Sequence, residues 1–198
     1  VSVIAGGQHF VGENVDEALR SGVDFVVRDE GEKTIRELLA CLEGEGQPAE
    51  VRGIAYLDGD AVCHTPDREP ITNFDELPLP EFSLVRHARI RIYPVGRVRG
   101  CGMDCEFCTV KGRPRYASPE RLMQQFAHLH ESYGATQFFI VDDLFGQDRR
   151  NTLRLCRLLR EYQDRMSSNF KVSVQIRLDK ARDDELLEAM RDANIRFL

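Results

Sequence analysis

Strand-like apolar runs alternate with amphipathic helical segments along almost the whole chain, and this alternation most constrains the fold. In the second half, Phe138–Val141 is apolar without interruption, which is typical of a parallel strand covered on both faces. The preceding helix is predicted to begin at Ser118-Pro119-Glu120, because serine caps a helix, proline suits its first position and glutamate favours its positive end. Strands separated by helices form parallel sheets, so the sequence predicts an α/β protein.

The second half contains three strand–helix units and the start of a fourth. The strands are predicted at residues 90–98, 137–141, 171–177 and 195–198, and the helices at residues 118–133, 152–162 and 183–193. An array of this kind rolls into a full or partial barrel, whose active site lies at the C-terminal ends of its strands. Residues 90–198 are therefore predicted to form the N-terminal part of a (β/α) barrel.

The first block, residues 1–65, is shorter and also α/β. Its strands are predicted at residues 1–5 and 23–27, its helices at residues 13–21 and 33–42, and a terminal hairpin at residues 51–57 and 61–64. Residues 66–89 carry four prolines and many acids, which predicts an extended linker between the two domains. Because the chain starts abruptly in an apolar run and ends within a predicted strand, we expect a fragment of a longer protein.

Composition argues against several classes of function. The net charge is −6, whereas a surface that binds nucleic acid requires clustered positive charge. No apolar run approaches the length of about 18 residues that a membrane span requires. Six cysteines in 198 residues are too few for a disulfide framework, and their use predicts a reducing, cytoplasmic location.

The chemistry is concentrated in one loop, where Cys101, Cys105 and Cys108 have the spacing C-x3-C-x2-C directly after a predicted strand. Soft thiolate ligands favour zinc or an iron–sulfur cluster. Structural zinc takes four ligands, and a fourth is not evident from the sequence, although histidines lie before and after the loop. In a cluster, three cysteines leave one iron without a protein ligand, and that iron is free to chelate a small molecule.

The remaining cysteines are interpreted differently. Cys41 and Cys156 fall within predicted helices, and Cys63 falls within a predicted strand. Small buried cysteines are common at such positions, so these three are predicted to be structural rather than metal ligands.

The cysteine loop, its preceding strand, its Arg99-Gly100 lead-in and the aromatic Phe107 together resemble the signature of the radical S-adenosylmethionine (SAM) superfamily. The resemblance implies a [4Fe–4S] cluster on the three cysteines, with SAM on the open iron and Phe107 near the adenine. Electron transfer to SAM then releases methionine and a 5′-deoxyadenosyl radical. One departure is Gly102, since many relatives have proline directly after the first cysteine.

The same resemblance implies roles for residues at two strand ends. Asp142 and Asp143 follow the apolar run of the second barrel strand, where relatives hold the amino group and ribose of SAM. Gln175 and Arg177 match a Gln-x-Arg pattern at the end of the third strand. Arg177 is therefore expected to meet the carboxylate of SAM or a substrate anion; the alternative is a buried structural ion pair with Asp179.

The first block resembles the C-terminal half of a flavodoxin-like, Rossmann-type cobalamin-binding domain. The likeness rests on the segments at residues 3–9 and 24–34, the second including Glu30-Gly31-Glu32 with Asp29 in place of a glycine. It implies that Gly6, Gly7 and His9 lie against the nucleotide tail of cobalamin at a strand end. Glu32 is expected to serve the N-terminus of the following helix.

These expectations together describe a cobalamin-dependent radical SAM enzyme, for which methyl transfer or another C–H activation is implied. The alternatives are a radical SAM methylthiotransferase, a zinc-stabilised interaction module and a ferredoxin-like electron carrier. The expected partners are a small-molecule, lipid or natural-product substrate and an electron donor such as flavodoxin or ferredoxin, without nucleic acid. The residues of the first block contain no second cysteine triad of the methylthiotransferase kind.

Overall fold

The computed structural model describes residues 1–110 and 112–197, which divide into two compact units. The first unit comprises Val1–Thr72 together with Phe107–Val110, and the second comprises Asn73–Glu106 together with Lys111–Leu198. Both units combine helices with strands, so the predicted α/β class is confirmed. In the described part of the chain, no helix is both long and apolar enough to cross a membrane.

The first unit is built on a four-stranded sheet with the strand order β1-β2-β3-β4. Its elements are β1 (Ile4–Gly6), α1 (Glu13–Arg20), β2 (Phe25–Val27), α2 (Gly31–Leu42), a 3-10 helix (Pro48–Glu50), β3 (Ile54–Asp58) and β4 (Ala61–His64). The pair β1–β2 is parallel, whereas β3 is antiparallel to both β2 and β4. The predicted strand–helix units and the terminal hairpin are therefore confirmed.

Two apolar clusters cover opposite faces of this sheet. Adjacent strand residues point to opposite faces, and Val26 and Val27 accordingly belong to different clusters. Val26 shares its cluster with Leu19 of α1, whereas Val27 shares its cluster with Leu38 of α2. Each fully buried aliphatic side chain contributes roughly 1.5–3 kcal/mol, so burial on both faces stabilises the unit.

The turn between β2 and α2 has a left-handed backbone at Asp29, with φ of 57°. A glycine favours this conformation, and Asp29 stands where the resembling turn has glycine. Glu30 follows, and its carboxylate accepts a hydrogen bond from the amide of Ile71 at 2.6 Å. Glu32 lies in the first turn of α2, as expected for an acidic residue at the positive end of a helix.

The second unit contains a four-stranded parallel sheet with the order β10-β9-β8-β5 and a separate two-stranded antiparallel ribbon, β6-β7. Its elements are 3-10 helices at Phe74–Glu76 and Phe82–Leu84, then β5 (Tyr93–Val95), β6 (Val98–Arg99), β7 (Arg115–Tyr116), α3 (Pro119–Tyr133), β8 (Gln137–Phe145), α4 (Arg149–Met166), β9 (Lys171–Ile176), a 3-10 helix (Leu178–Arg182), α5 (Asp184–Asp192) and β10 (Ile195–Phe197). The two early 3-10 helices fall within the predicted linker.

Three helices, α3, α4 and α5, pack through one apolar cluster against this sheet. At its centre, the ring of Phe138 lies 4.7 Å from that of Phe126 and 4.9 Å from that of Phe170, between centroids. The predicted start of α3 is confirmed, because the Ser118 hydroxyl accepts a hydrogen bond from the Arg121 amide at 3.0 Å. Helix–strand alternation therefore sets both the sheet and its helical cover.

Two predicted strands differ from the structure. The strand expected at residues 90–98 is short and interrupted, because the amides of Arg97 and Val98 bond the side-chain carboxylate of Asp142 in β8 instead of a backbone carbonyl of that strand. The strand expected to end at Val141 continues to Phe145, across a shift of register with β9. Val141 is also 50% exposed, so β8 is not covered on both faces. The last predicted strand is present as β10, while Leu198 lies outside the described residues.

The C-terminal cap of α4 offers a stability prediction. Ser167 is exposed and has φ of 49°, a conformation that a side chain disfavours. We expect Ser167→Gly to raise the free energy of unfolding by about 0.5–1 kcal/mol, since glycine adopts this cap without a steric cost. Denaturant unfolding measures the change. The matched control is Ser173→Gly within β9, where glycine destabilises; equal effects at the two positions would contradict the prediction.

Candidate active site

The cysteine loop leaves the ribbon strand β6 and returns to it as β7. None of the six cysteines, all of them within the described residues, forms a disulfide, and of the three in the loop Cys105 is exposed while Cys101 and Cys108 are partly buried. Within residues 1–110 and 112–197, no three His, Cys, Asp or Glu side chains are arranged to hold a metal ion. The structure thus presents three thiols outside any disulfide in one loop, without a preformed ligand cage among the described residues.

Gly102 gives the loop its local shape. Its φ is +72°, a left-handed value, and its amide donates a hydrogen bond to the Gly112 carbonyl at 3.0 Å. A Cβ at this position would lie 3.0 Å from Cδ of Pro114. Proline has no amide hydrogen and a fixed negative φ, so a proline at position 102 would be incompatible with this backbone.

Asp142 is buried, with 1% of its surface exposed. Its Oδ1 accepts hydrogen bonds from the amides of Arg97 at 2.8 Å and Val98 at 3.0 Å, while Oδ2 has no partner in the described part of the chain. Burial raises the pKa of Asp142, opposed by these amides and by the Arg97 charge. The side chain therefore fixes the backbone that leads into the cysteine loop.

Arg97 is the buried cation of this region, with 4% of its surface exposed. Its guanidinium donates to the Thr152 hydroxyl at 3.3 Å and lies 3.7 Å from the Asp148 carboxylate. It also lies over the ring of Tyr116, 5.1 Å from the centroid. A buried charge requires partners of this kind, so Arg97 joins the start of the loop to the N-terminus of α4.

Gln147, between β8 and α4, contacts the loop itself. Its Nε2 donates to the carbonyl of Cys101 at 3.0 Å, and its Oε1 accepts from the Tyr116 hydroxyl at 3.3 Å. Burial, followed by the charge of Asp148, raises the pKa of Tyr116, so this phenol remains a donor at neutral pH. The first cysteine is consequently tied to the connection that follows β8.

Asp143 and Arg177 differ from Asp142 in their access to solvent. Asp143 is partly exposed, and alternation along β8 places it on the face opposite Asp142. Arg177 is exposed and pairs with Asp179 at 3.0 Å, so the alternative partner is correct but the pair is not buried. The Arg177 guanidinium also contacts the sulfur of Met103 at 3.4 Å. The end of β9 therefore meets the cysteine loop.

The other predicted binding residues are accessible. Phe107 is 91% exposed. In the first unit, Gly6, Gly7 and His9 are exposed at the C-terminal end of β1, and a Cβ on Gly7 would meet nothing within 4 Å. The backbone of this strand end is thus open to a ligand that lies against it.

The remaining candidate metal ligands have local roles. Cys41 and Cys156 belong to the apolar clusters of the first and second units, and burial raises the pKa of Cys156 to about 12. Cys63 is partly buried in β4. The imidazoles of His128 and His130 contact the Ser132 hydroxyl and the Ala135 carbonyl, respectively.

Three residues of this region, Arg97, Tyr116 and Gln147, are absent from the sequence-based predictions. Arg97 can be identified from the sequence as a buried cation, because it follows the apolar residues of a predicted strand and a buried arginine requires a partner. No sequence pattern identifies Gln147, since its contacts depend on how the loop folds back against the end of β8.

No protein-family model matches the chain. Among curated proteins, it is 31% identical over 164 residues to an uncharacterized methyltransferase of Pyrococcus horikoshii, covering 77% of this chain and 36% of that protein. It is 28% identical over 192 residues to an uncharacterized methyltransferase of Synechocystis, covering 95% and 33%. It is 29% identical over 136 residues to the hopanoid C-2 methylase of Rhodopseudomonas palustris, covering 67% and 25%. The chain thus spans about a third of the length of the first two relatives.

Solved structures show the same fold. The radical SAM methyltransferase TsrM of Kitasatospora setae, with cobalamin and a [4Fe–4S] cluster bound, matches with a TM-score of 0.78 at 16% identity, over 98% of this chain and 41% of that chain. The cobalamin-dependent SAM radical enzyme OxsB, with aqua-cobalamin and SAM bound, matches with a TM-score of 0.72 at 20% identity, over 98% and 30%. At these identities the likeness supports the fold alone.

Proposed function

Because this chain belongs to the radical S-adenosylmethionine superfamily, in the group whose members carry a cobalamin-binding domain, we propose that it is part of an enzyme that cleaves SAM reductively. The expected outcome is methyl transfer to, or another C–H activation of, a small-molecule, lipid or natural-product substrate. The observation that carries the proposal is the C-x3-C-x2-C motif, whose first residues contact two strand ends of the parallel sheet: Cys101 is bonded by Gln147 after β8, and Met103 contacts Arg177 after β9. We infer that residues 1–65 correspond to part of a cobalamin-binding domain and residues 90–198 to the start of the radical SAM barrel.

The donor set of the loop fits an iron–sulfur cluster. Cys101, Cys105 and Cys108 would supply three thiolates, the ligand type that such clusters take. A [4Fe–4S] cluster so held would deliver one electron to SAM, breaking its C5′–S bond to give methionine and a 5′-deoxyadenosyl radical. A zinc module requires a fourth ligand, and His128 and His130 are engaged with their own neighbours instead.

The accessible polar residues around the loop fit SAM. Asp143 is partly exposed and carries the carboxylate that an ammonium group requires. Arg177 is exposed and contacts the loop at Met103, and we propose that its guanidinium, which pairs with Asp179 here, binds the carboxylate of SAM. Phe107 presents a free aromatic face for adenine. Asp142 contributes indirectly, because its carboxylate holds the backbone before the first cysteine.

Cobalamin is assigned to the first unit. Gly6 and Gly7 at the end of β1 are exposed, and a Cβ on Gly7 would meet no atom within 4 Å, so a nucleotide tail could lie against this backbone; His9 is exposed beside them. The bound cofactor would supply a cobalt-held methyl group for transfer. The role of these residues is to bind and orient the tail.

Anaerobic reconstitution of the purified protein with iron and sulfide tests the proposal. We expect a brown protein whose reduced cluster gives an EPR signal that changes when SAM is added, and we expect 5′-deoxyadenosine when a reductant is present. An electron carrier would give a signal that SAM leaves unchanged. Stoichiometric zinc without 5′-deoxyadenosine would identify a zinc module and refute the proposal.

A further inference from the structure

We propose that Gln147 is a positioning residue that fixes the first cysteine of the loop, where Gly102 leaves the following backbone without the restraint that a proline would provide. The inference rests on the proposed function, because it assigns a role to a side chain that holds a cluster ligand. The inference adds to that function a positioning role for Gln147, which lies outside the cysteine motif.

The loop of this chain lacks a covalent restraint directly after its first cysteine. A proline in this position locks φ near −65°, whereas Gly102 occupies φ of +72° and is intrinsically the most flexible residue type. Next to the first cysteine, the Gly102 amide donates a hydrogen bond to the Gly112 carbonyl at 3.0 Å. The carbonyl of Cys101 needs a second attachment if the cysteine is to keep one orientation.

Gln147 supplies that attachment from the connection between β8 and α4. Its amide nitrogen bonds the Cys101 carbonyl at 3.0 Å, and its amide oxygen is held by the Tyr116 hydroxyl at 3.3 Å. The Tyr116 ring in turn lies beneath the buried guanidinium of Arg97. A Cβ at position 102 would lie 3.5 Å from Gln147 Nε2, so the glutamine occupies the space beside the glycine. Gly102 therefore leaves room for the Gln147 side chain, and Gln147 in turn holds the backbone of Cys101.

The first test needs no bound metal. In the metal-free chain under reducing conditions, the alkylation rate of each loop cysteine by iodoacetamide is followed by mass spectrometry. Losing one hydrogen bond of ordinary strength corresponds to about a fivefold change in the population of open loop. We expect Gln147→Ala to raise the alkylation rate of Cys101 by about that factor. Unchanged rates in Gln147→Ala would overturn the proposal, whether or not the protein binds a cluster.

Two further variants separate positioning from general destabilisation. Gln137→Ala is the matched control, since this exposed glutamine begins β8 and its side chain has no hydrogen bond among the described residues. We expect it to leave Cys101 reactivity unchanged. Gln147→Glu keeps an oxygen for Tyr116 but loses the amide donor, so it should behave like Gln147→Ala. If Gln147→Glu retains the wild-type rate, the bond to Cys101 is not what holds the loop.

The second test uses the reconstituted protein. A Cys101 that samples several orientations should broaden the EPR signal of the reduced cluster in Gln147→Ala, while Gln137→Ala keeps the wild-type line shape. If wild-type protein forms no cluster, the proposed function fails, but the alkylation result still decides whether Gln147 restrains the loop. A wild-type line shape in Gln147→Ala would contradict the role of this residue in cluster geometry.

Discussion

Replacing Cys105 by serine should abolish SAM cleavage completely. Cys105 is the most exposed thiol of the loop and belongs to none of the three apolar clusters, so its replacement should remove a ligand without unfolding the chain. Serine is a poor ligand for iron–sulfur clusters, which take thiolates. We expect iron content after reconstitution to fall to background and 5′-deoxyadenosine to become undetectable.

Circular dichroism and thermal melting of the metal-free protein provide the stability check for this variant. The matched control is Cys63→Ser, which changes a partly buried cysteine of the first unit that lies outside the loop. We expect Cys63→Ser to retain iron and SAM cleavage. If Cys63→Ser loses the cluster while Cys105→Ser retains it, the assignment of ligands to the C-x3-C-x2-C loop is wrong.

The cysteine motif can be read directly from the sequence, and the order of helices and strands can be predicted from it, because both depend on the local pattern of residues. Strand β8 was recognised from the apolar run that includes Phe138, and the start of α3 from the capping serine Ser118. These features are set by interactions within a few residues, such as the hydrogen bond from the Arg121 amide to Ser118. Local pattern therefore suffices for element type and approximate position.

Details that depend on contacts between distant segments were not predictable in the same way. The expected strand at residues 90–98 is short because amides at Arg97 and Val98 bond Asp142, more than forty residues later. The continuation of β8 to Phe145 depends on renewed pairing of Phe145 with Ile176 after a shift of register. Residue types alone do not reveal such a shift, since it depends on where the neighbouring strand lies.

The neighbouring carboxylates Asp142 and Asp143 illustrate the same limit at the site. In the sequence, both follow an apolar run and both are candidates for the SAM ammonium group. Their environments differ, because Asp142 is buried with two backbone partners and Asp143 is partly exposed on the other face of the strand. This difference leads to opposite expectations for the two substitutions.

Substitution of Asp142 should affect the fold more than the ligand. Asp142→Ala leaves two amide groups without their acceptor, and each buried unsatisfied group costs roughly 1–3 kcal/mol. We therefore expect the free energy of unfolding to fall by about 2–6 kcal/mol, as measured by denaturant titration of the metal-free chain. Asp142→Asn retains an acceptor oxygen and should restore most of this loss.

The pH dependence of stability supplies an independent check on Asp142. Burial raises its pKa, so the folded state favours the protonated form. The stability that this protonation provides is present below the ordinary aspartate pKa and is lost as the pH rises through the raised value. We expect Asp142→Asn, which cannot ionise, to lack this loss. Its stability relative to wild type should therefore increase from acidic to neutral pH, and a difference independent of pH would contradict the raised pKa.

Substitution of Asp143 should instead weaken SAM binding while leaving the fold intact. A hydrogen bond to a charged group contributes about 1.5–3 kcal/mol, which corresponds to roughly a tenfold to hundredfold loss of affinity. We expect Asp143→Asn to show this loss in a titration of the reconstituted protein followed by EPR, with unfolding within about 0.5 kcal/mol of wild type. Asp142→Asn, measured in parallel, should bind SAM nearly as wild type does because it preserves the bonds to the two amides. If Asp142→Asn folds normally but loses as much affinity as Asp143→Asn, then the buried carboxylate contacts the ligand, which would require β8 to rearrange when SAM binds.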